Sequence, residues 1–522
     1  MTKVLDEPRA PLLGPVIGHT TANSSRIWIR ADSDLPDDYV GLYTLRVGAS
    51  GSSTFPEVCG TFALKNKWPV PMTEAPMPLL DTIGLLDLAD LLPGVRYILH
   101  IATGLQSEWA NFRADREGTD IDQIERIRLV ERYGAPCSFA TFAGLGTPRY
   151  AREVKFLFGS CHYPGHAFQK ARSVNAFKPV VEAVLKSQPD CMLMVGDQIY
   201  SDAFADAAYQ SDHAERYRER YTESWSGRWK QQVMSTLPTY MILDDHEIED
   251  NWDSRRIGIP GKDEVFEKGI QSYVTYQWIH GPRSVSAFRN VGRSLIPSFY
   301  YEFEVNGFAF FVMDVRSERV PDPANCLLSE MTSSVQLDAL RNWLLRNSGN
   351  RPKFIISSVV FAPDAKMTGA QDKDDDGWSA YPKTRAEVLA AIFNDGKPIS
   401  NVIFLSGDAH CSSLARITIS APGHAHGYAY SVTSSPFFAP FSIARRSAAS
   451  YIGDSILEHD TFDGRVLGYS FTMDSRLMET VEVDNFSGIH VTWDNDTATW
   501  RMTLVRYSGD GESKSIDVML TN

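Results

Sequence analysis

The pattern of hydrophobic and polar residues changes near Arg152. Before it, short segments alternate apolar and polar residues, as in SSRIWIRA, YTLRVGAS and RYILHIATG. Alternation with a period of two is typical of strands that bury one face. After Arg152, six short runs are almost continuously apolar: VKFLFGSC, CMLMVGD, TYMILDD, FAFFVMD, KFIISSVVF and NVIFLSGD. Continuous runs of this length favour strands that are buried on both faces.

Segments with helical character separate several of these runs. The first four runs are followed, in order, by KPVVEAVLKSQ, AERYRERYTESW, VFEKGIQSYVTYQWI and SSVQLDALRNWLLRN. Strands that alternate with helices predict a layered α/β domain. The last stretch, IHVTWDNDTATWRMTLVRY, predicts a hairpin that turns at residues 494–496 and closes the sheet.

We predict two domains, because 522 residues exceed what one small core organises. Residues 1–148 are expected to form an N-terminal all-β sandwich of fibronectin- or immunoglobulin-like type. The phrase LLDLADLLPGVRYILHIATG is similar to the end of a fibronectin type III-like domain. Residues 149–522 are expected to form an α/β (α+β) layered domain that carries the chemistry.

Composition and charge narrow the classes of partner. The net charge of −14 argues against a nucleic acid or an anionic membrane surface as the partner. It is compatible with a small anionic substrate, because a metal ion reverses the local field. No apolar run is long enough for a transmembrane helix, so no stable membrane insertion is expected. The N-terminus, MTKVLDEPRAPLLG, lacks the apolar core of a signal peptide, which predicts a cytoplasmic protein.

The six cysteines form no CxxC pair, which predicts reduced thiols in a large protein and not a disulfide framework. The oligomeric state stays open at this point.

Residues with ligand chemistry follow the ends of five of the six apolar runs. In open α/β sheets, ligands bind at the carboxyl ends of the strands. A single Asp there usually caps the next helix, and a single buried Cys is usually packing. Five apolar runs that end on residues of this kind in one domain favour a functional site. The candidates are Cys161, Asp197, Tyr200, Asp244, Asp245, His246, Glu247, Glu249, Asp250, Asn251, Asp314, Arg316, Asp408 and His410.

Asp408 and His410 are spaced as i and i+2. In an extended segment, this spacing directs both side chains to the same side of the chain. We therefore expect the two residues to approach one or two metal ions together. Asp314 is interpreted as the residue that positions Arg316, not as a ligand.

The motifs GSC, GDQIY, DDHE, MDVR and LSGDAH, in this order, resemble those of the PhoD-like alkaline phosphatases, within the calcineurin-like metallophosphoesterase superfamily. The resemblance covers nearly the whole chain. It implies a layered metallophosphoesterase sandwich. It also implies a metallophosphatase, an alkaline phosphomonoesterase and/or phosphodiesterase, that hydrolyses small phosphate esters by a metal-bound hydroxide at a two-metal centre.

The resemblance also implies roles for individual residues. Asp197 stands at the position of the bridging aspartate, and Asp245 stands at the position of the superfamily's metal-binding asparagine. His246 stands where the general acid stands. Cys161 and Tyr200 match a cysteine ligand and a tyrosinate ligand. The metal ligands implied in this way are Cys161, Asp197, Tyr200, Asp245, Asn251, Asp408 and His410.

Further residues are implied on the substrate side. Arg316 is expected to neutralise the equatorial phosphate oxygens and His246 to protonate the leaving alkoxide. His162 follows the cysteine where the family commonly has Gln, and it is placed beside the phosphate. The stretch DGWSAYPKTR resembles another family signature, which places Asp376, Trp378, Tyr381 and Arg385 near the mouth of the site.

The donor chemistry of the two implied sites differs. A thiolate, a phenolate, a carboxylate and an imidazole favour Fe(III), because only a strong Lewis acid deprotonates a phenol at neutral pH. The second site contains only oxygen donors, which suit Ca, Mg or Mn, with Zn as a further alternative. The resemblance implies Fe(3+) with Ca(2+).

Two other functions remain open. One is a phosphodiesterase or phospholipase D-like enzyme that acts on a larger substrate, such as a phospholipid or a teichoic-acid-like polymer. The other is a non-catalytic, metal-stabilised binding protein in which the N-terminal sandwich recognises the partner. His246 and Arg316 argue against the second, because metals that only brace a fold need neither residue.

Overall fold

The protein is represented by a computed structural model. It describes residues 6–32, 35, 38–48, 58–68, 77–113, 121–165, 169–202, 213–282, 288–292, 294–363, 376–440, 459–509 and 513–520. Among the helices of these ranges, none is long and apolar enough to cross a membrane.

The strands, numbered in chain order, have the following bounds: β1 Leu13–Thr20, β2 Ser25–Arg30, β3 Tyr39–Val47, β4 Val58–Trp68, β5 Met77–Leu88, β6 Arg96–Leu105, β7 Ala135–Ala140, β8 Glu153–Gly159, β9 Cys191–Val195, β10 Thr239–Ile242, β11 Phe288–Val291, β12 Ser294–Pro297, β13 Tyr301–Val305, β14 Phe308–Val312, β15 Lys353–Ser357, β16 Val402–Ser406, β17 Ser412–Ser420, β18 Gly427–Thr433, β19 His459–Asp463, β20 Thr472–Val481, β21 Asn485–Asp494, β22 Thr499–Ser508 and β23 Ser513–Leu520.

The helices have the following bounds: α1 Gln106–Trp109, α2 Ile121–Tyr133, α3 Lys170–Asn175, α4 Lys178–Ser187, α5 His213–Trp225, α6 Arg228–Met234, α7 Lys262–Tyr276, α8 Ser334–Arg346 and α9 Pro382–Phe393. The helices predicted from the sequence correspond to α4, α5, α7 and α8.

The N-terminal strands form an antiparallel sheet in the order β1-β2-β5-β4-β3-β6-β7. Side chains from both halves of this order, such as Ile27 on β2 and Leu99 on β6, pack into one core. As predicted, β-strands dominate this region, and helix α2 in addition packs Ile127 and Val130 against β3 and β6. Because α2 contains many charged residues, only a narrow stripe of its surface is apolar. The fibronectin- or immunoglobulin-like type stays a prediction.

The six apolar runs after Arg152 are confirmed as strands β8, β9, β10, β14, β15 and β16. The first three are parallel neighbours in a sheet of order β10-β9-β8-β21-β22-β23. The last three are parallel neighbours in a sheet of order β13-β14-β15-β16-β18-β17-β20-β19. The predicted hairpin is confirmed as β21 and β22, and it pairs with β8.

Three hydrophobic clusters organise this part of the chain in layers. One lies between the two sheets and contains Phe156, Phe310 and Phe354. A second packs α4, α5 and α7 on the outer face of the β8 sheet, and a third packs α8 and α9 on the outer face of the β15 sheet. Each sheet therefore has a buried inner face and a helix-covered outer face, which explains the continuous apolar runs.

The N-terminal sheet shares one of these clusters. Trp28 on β2 donates its indole N–H to the Thr275 carbonyl of α7 at 2.9 Å, and its ring contacts Trp225. The predicted domain boundary, between residues 148 and 149, lies between β7 and β8. The division of the chain into two domains there stays a prediction.

Replacing Phe156 with Ala should lower the free energy of unfolding by about 3–5 kcal/mol, because it opens a cavity between the sheets. Phe156 is 1% exposed and packs edge-on against Phe310 and Phe354, with ring centroids 5.4 and 5.0 Å away. Leu185→Ala, at a position 71% exposed on α4, is the control and should change stability by less than about 0.5 kcal/mol. Chemical denaturation measures both. Equal small losses would contradict a shared core between the sheets.

Candidate metal centre

The ligand-type residues lie where strands of the two sheets end. Cys161 follows β8, Asp197 follows β9 and Asp245 follows β10, and these three strands are parallel neighbours. Asp408 follows β16 in the facing sheet. Because the carboxyl ends of parallel strands point to one edge, the topology brings the side chains together at the rim between the sheets.

Several of these residues have left-handed backbone conformations. The φ angle is 57° at Cys161, 53° at Asp197, 60° at Asp408 and 50° at His410. Non-glycine residues in this region cost about 1–3 kcal/mol each and concentrate at functional sites. The expectation that Asp408 and His410 belong to an extended segment is wrong, because the chain turns sharply at both residues. The turns bring their side chains to different parts of the site.

The first group of potential ligands is Cys161, Asp197 and His410. The Cys161 Sγ lies 3.2 Å from Asp197 Oδ2. The Tyr200 hydroxyl lies 3.1 Å from His410 Nε2 and 3.5 Å from Asp197 Oδ2. The four residues assigned to the first metal site from the sequence are therefore close together, and all four side chains are buried.

The second group is Asp197, Asp244, Asp245 and Asp408, whose nearest carboxylate oxygens lie within 4.8 Å of one another. Asp244 was not predicted as a ligand. Three buried oxygens of this group, Asp197 Oδ1, Asp244 Oδ2 and Asp245 Oδ1, have no hydrogen-bond partner among the described residues. Buried carboxylate oxygens without partners are strongly unfavourable, so this arrangement fits a bound cation.

Glu247 binds the backbone of two of the ligand-bearing segments. Its Oε2 accepts the N–H groups of Asp197 at 3.1 Å and Asp244 at 3.0 Å, and its Oε1 accepts the N–H of Gln198 at 2.6 Å. The side chain of Gln277 also donates to Oε1, at 3.0 Å. Glu247 therefore fixes the distance between the ends of β9 and β10.

In the absence of a cation, burial and neighbouring negative charges favour the protonated forms of Cys161, Tyr200 and Asp197. Burial, and then the charge of Asp408, raises the pKa of the Cys161 thiol to about 12. Burial, followed by neighbouring negative charges, also raises the pKa of Tyr200 and of Asp197 well above their usual values. For Asp244, burial outweighs the attraction of Arg316 and raises its pKa to about 7.

His246 lies beside the cluster and pairs with Asp202. Its Nδ1 is 2.7 Å from Asp202 Oδ1, and its ring packs against that of Tyr200 with centroids 4.1 Å apart. Although burial opposes protonation, the charges of Asp245 and Asp202 raise the pKa of His246 to about 10. His246 also forms a group with Asp197 and Asp245. The imidazole is therefore held as a proton donor next to the potential ligands.

Arg316 is buried beneath the second group. Its guanidinium binds Asp244 and forms a two-fold contact with Asp376, whose Oδ2 is 2.7 Å from Nη2. Asp314 accepts the Arg316 backbone N–H at 3.1 Å, and its role in positioning Arg316 stays a prediction. All described contacts of the guanidinium are with carboxylates, so its contact with a substrate stays a prediction.

Other residues assigned from the sequence lie away from the potential ligands. The Asn251 amide is exposed and donates to Asp250, while its backbone N–H binds Asp245. The His162 ring contacts Ser173, Ser224 and Lys230 on the outer side of the sheet. The assignments of Asn251 as a ligand and His162 as a substrate contact remain predictions that these positions do not support.

Trp378 and Tyr381 are also buried, at 0% and 1% exposure. The Trp378 indole donates to Ser357 at 3.1 Å, and the Tyr381 ring lies beneath the Arg319 guanidinium. Arg385 is buried as well and lies over Phe361. The contact of Trp378 and Tyr381 with a substrate stays a prediction.

Four residues of the site had no specific role in the sequence analysis: Asp244, Glu247 and Asp376 were named there only by position, and Asp202 was not named. Asp244 and Glu247 occur in the same motif as the predicted ligands, so their proximity was foreseeable. The pairing of Asp202 with His246 joins loops that are 44 positions apart, and no sequence spacing indicates it.

Comparison with known proteins identifies a family and two solved structures of similar fold. The model of the PhoD-like phosphatase family matches residues 156–447. A solved structure of PhoD is similar with a TM-score of 0.64 and 17% identity, over 98% of this chain and 93% of that chain. The purple acid phosphatase PPD1 from yellow lupin (Lupinus luteus) seeds gives 0.55 and 11%, over 97% and 74%. A search of curated proteins gave no match.

Metal-free protein should become less stable as the pH rises from about 4 to about 7. In this window the raised pKa values of Asp197, Asp244 and Asp408 let the folded state bind more protons than the unfolded chain, whose Asp residues titrate near 4. The free energy of unfolding therefore falls with pH. Chemical denaturation after chelation measures it, and Asp408→Asn should flatten the slope. Rising stability across this window in metal-free protein would contradict the buried carboxylate cluster.

Proposed function

This chain belongs to the PhoD-like phosphatase family, and from that premise we propose that it hydrolyses phosphate esters at a centre of two metal ions. The observation that carries this proposal is that Asp197 is common to all three groups of potential ligands. A carboxylate shared in this way can bridge two cations, as two-metal hydrolytic sites require.

We assign the first ion to Cys161, Tyr200, Asp197 and His410. The raised pKa values of the Cys161 thiol and the Tyr200 phenol mean that only a strong Lewis acid would replace both protons at neutral pH. This donor set favours Fe(III). The absorption of a phenolate–Fe(III) pair would colour the concentrated protein.

We assign the second ion to carboxylates alone, namely Asp197, Asp245 and Asp408, with Asp244 added from its position in the same group. Oxygen donors favour a hard divalent cation, with Ca the ion implied by the family resemblance and Mg, Mn or Zn as alternatives. Asp244 shares its other oxygen with Arg316 and Ser358.

The metals would supply charge neutralisation and an activated water, and the chain's own residues would do the rest. Glu247 fixes the spacing of the ligand segments. Asp202 binds Nδ1 of His246, so the proton on Nε2 is the one available to a leaving oxygen. Arg316 provides positive charge beneath Asp244 and Asp245, with its Nη2 3.7 Å from Asp245 Oδ1.

The proposed substrate is a small phosphate ester. The negative net charge of the chain makes a nucleic acid or an anionic membrane an unfavourable partner. A panel of phosphate monoesters and diesters, assayed across pH with metal analysis of the same sample, tests the function. Absence of hydrolysis of every ester by metal-loaded protein would contradict it.

Asp197→Asn should lower kcat/KM for an aryl phosphate by at least about 10³-fold, because the shared carboxylate contributes to both metal sites. The metal content should fall at both sites, as measured by elemental analysis. Asp338→Asn, an exposed carboxylate on α8, is the control and should change neither quantity. Near-normal activity of Asp197→Asn would show that another group bridges the ions.

His246→Ala should reduce kcat/KM by about 10²–10⁴-fold for an alkyl phosphate and by much less for a nitrophenyl phosphate. An alkoxide requires a proton as it leaves, whereas nitrophenolate does not. Steady-state kinetics with the two esters at equal metal loading measure the difference. Equal losses would argue against proton donation by His246.

A further inference from the structure

Lys230, on α6, has a buried ammonium group at 1% exposure. Its Nζ lies 2.8 Å from Ser224 Oγ, 3.3 Å from His162 Nδ1 and 3.4 Å from the Gln198 carbonyl oxygen. No described carboxylate forms an ion pair with it. Burial of an ammonium without an ion pair is strongly unfavourable, and it lowers the pKa of Lys230 to about 7, although the charge of Glu247 opposes this shift. Fold stability alone would favour an apolar side chain at this position.

The hydrogen bonds around His162 make its Nδ1 an acceptor. Nε2 lies 3.1 Å from the Ser173 carbonyl oxygen, which can only accept, so Nε2 carries the proton. The Ser173 hydroxyl, also 3.1 Å from Nε2, donates its own proton to the Tyr163 carbonyl. The unprotonated Nδ1 therefore faces the Lys230 ammonium. Lys230 has an acceptor for each of its N–H groups.

Two of the three acceptors are the immediate neighbours of potential metal ligands. His162 follows Cys161 at the end of β8, and Gln198 follows Asp197 at the end of β9. Ser224 strengthens the connection, because its hydroxyl donates to the same Gln198 carbonyl at 2.8 Å. The His162 backbone N–H binds the Asp197 carbonyl at 2.9 Å. One buried cation thus joins the two chain segments from the side opposite the ligands.

We propose that Lys230 is a positioning residue of the metal centre: its ammonium clamps together the segments that carry Cys161 and Asp197, and so sets the metal affinity of the site they form. This inference rests on the metal centre of the proposed function. The distance it would control is the one between Cys161 Sγ and Asp197 Oδ2, now 3.2 Å. Groups that orient ligands from behind typically change metal affinity by 10–100-fold when removed.

Lys230→Met tests the clamp, because it keeps an unbranched side chain of nearly the same length and removes the charge. Metal-depleted full-length protein is titrated with Co²⁺, whose thiolate absorption reports binding at Cys161. The variant should bind Co²⁺ at least about 10-fold more weakly than the unmodified protein. The stability of the metal-free variant should be unchanged or higher, because an apolar residue replaces a buried charge.

Lys353→Met is the matched control. Lys353 is also buried at 1% exposure, and among the residues that the structure describes its ammonium donates to the carbonyl groups of Gly349 and Ser400, both at 2.7 Å. It lies at the start of β15, at the opposite end of the strands from the metal centre. The two variants should change the stability of metal-free protein similarly, and only Lys230→Met should weaken Co²⁺ binding.

Ser224→Ala removes the hydroxyl group that accepts a hydrogen bond from Lys230. This variant provides a second test of the clamp in case Lys230→Met does not fold. It should weaken Co²⁺ binding in the same direction, and the double variant should lose less than the sum of the single losses. Co²⁺ affinities of Lys230→Met, or of folded Ser224→Ala, within twofold of the unmodified protein would overturn the clamp. If unmodified protein bound no Co²⁺ or other metal, the proposed function itself would fail, and the clamp with it.

Discussion

The carboxylate of Glu247 accepts three backbone N–H groups from the ends of two adjacent strands, and the arrangement of the site depends on it. Because a strand end is followed by a loop, the side chains of Asp197 and Asp244 would otherwise be placed by flexible chain. Glu247 replaces that freedom with charge-assisted hydrogen bonds, each contributing about 1.5–3 kcal/mol. The same contacts bring more negative charge into a buried cluster that is already acidic. Glu247 is therefore responsible both for the geometry of the centre and for additional repulsion between its negative charges.

Positively charged residues around the cluster reduce this repulsion. Arg316 lies beneath Asp244 and is itself held by Asp376. His246 is protonated beside Asp202. On the outer face of the sheet, Lys230 lies behind the Cys161 and Asp197 segments and forms no ion pair with a described carboxylate. The left-handed backbone at Cys161, Asp197, Asp408 and His410 adds conformational strain. A bound pair of cations would relieve the repulsion that remains, which links the proposed metal binding to folding.

The sequence predicted the strands that form from continuous apolar runs, and it predicted which strand ends carry residues of ligand type. Both follow from local patterns: strands covered on both faces are apolar throughout, and the rim residues come directly after them. It failed where the outcome depends on contacts between distant segments. Helix α2 has too few apolar residues to show a clear periodicity, and its place is decided by packing against β3 and β6. The burial of the Trp378 and Tyr381 rings is likewise decided by tertiary packing and has no local signal in the sequence. The pairing of His246 with Asp202 and the turns at Asp408 and His410 also depend on tertiary contacts that no spacing encodes.

The central claim is that the strand-end cluster is a metal-dependent phosphoesterase centre. The most direct measurement is elemental analysis combined with hydrolysis of an aryl phosphate on one sample as metal is removed and then restored. The account predicts two metal ions per chain in active protein, loss of hydrolysis in step with chelation, and recovery when metal is added back. Full hydrolytic activity in protein that retains far less than one metal ion per chain would contradict it.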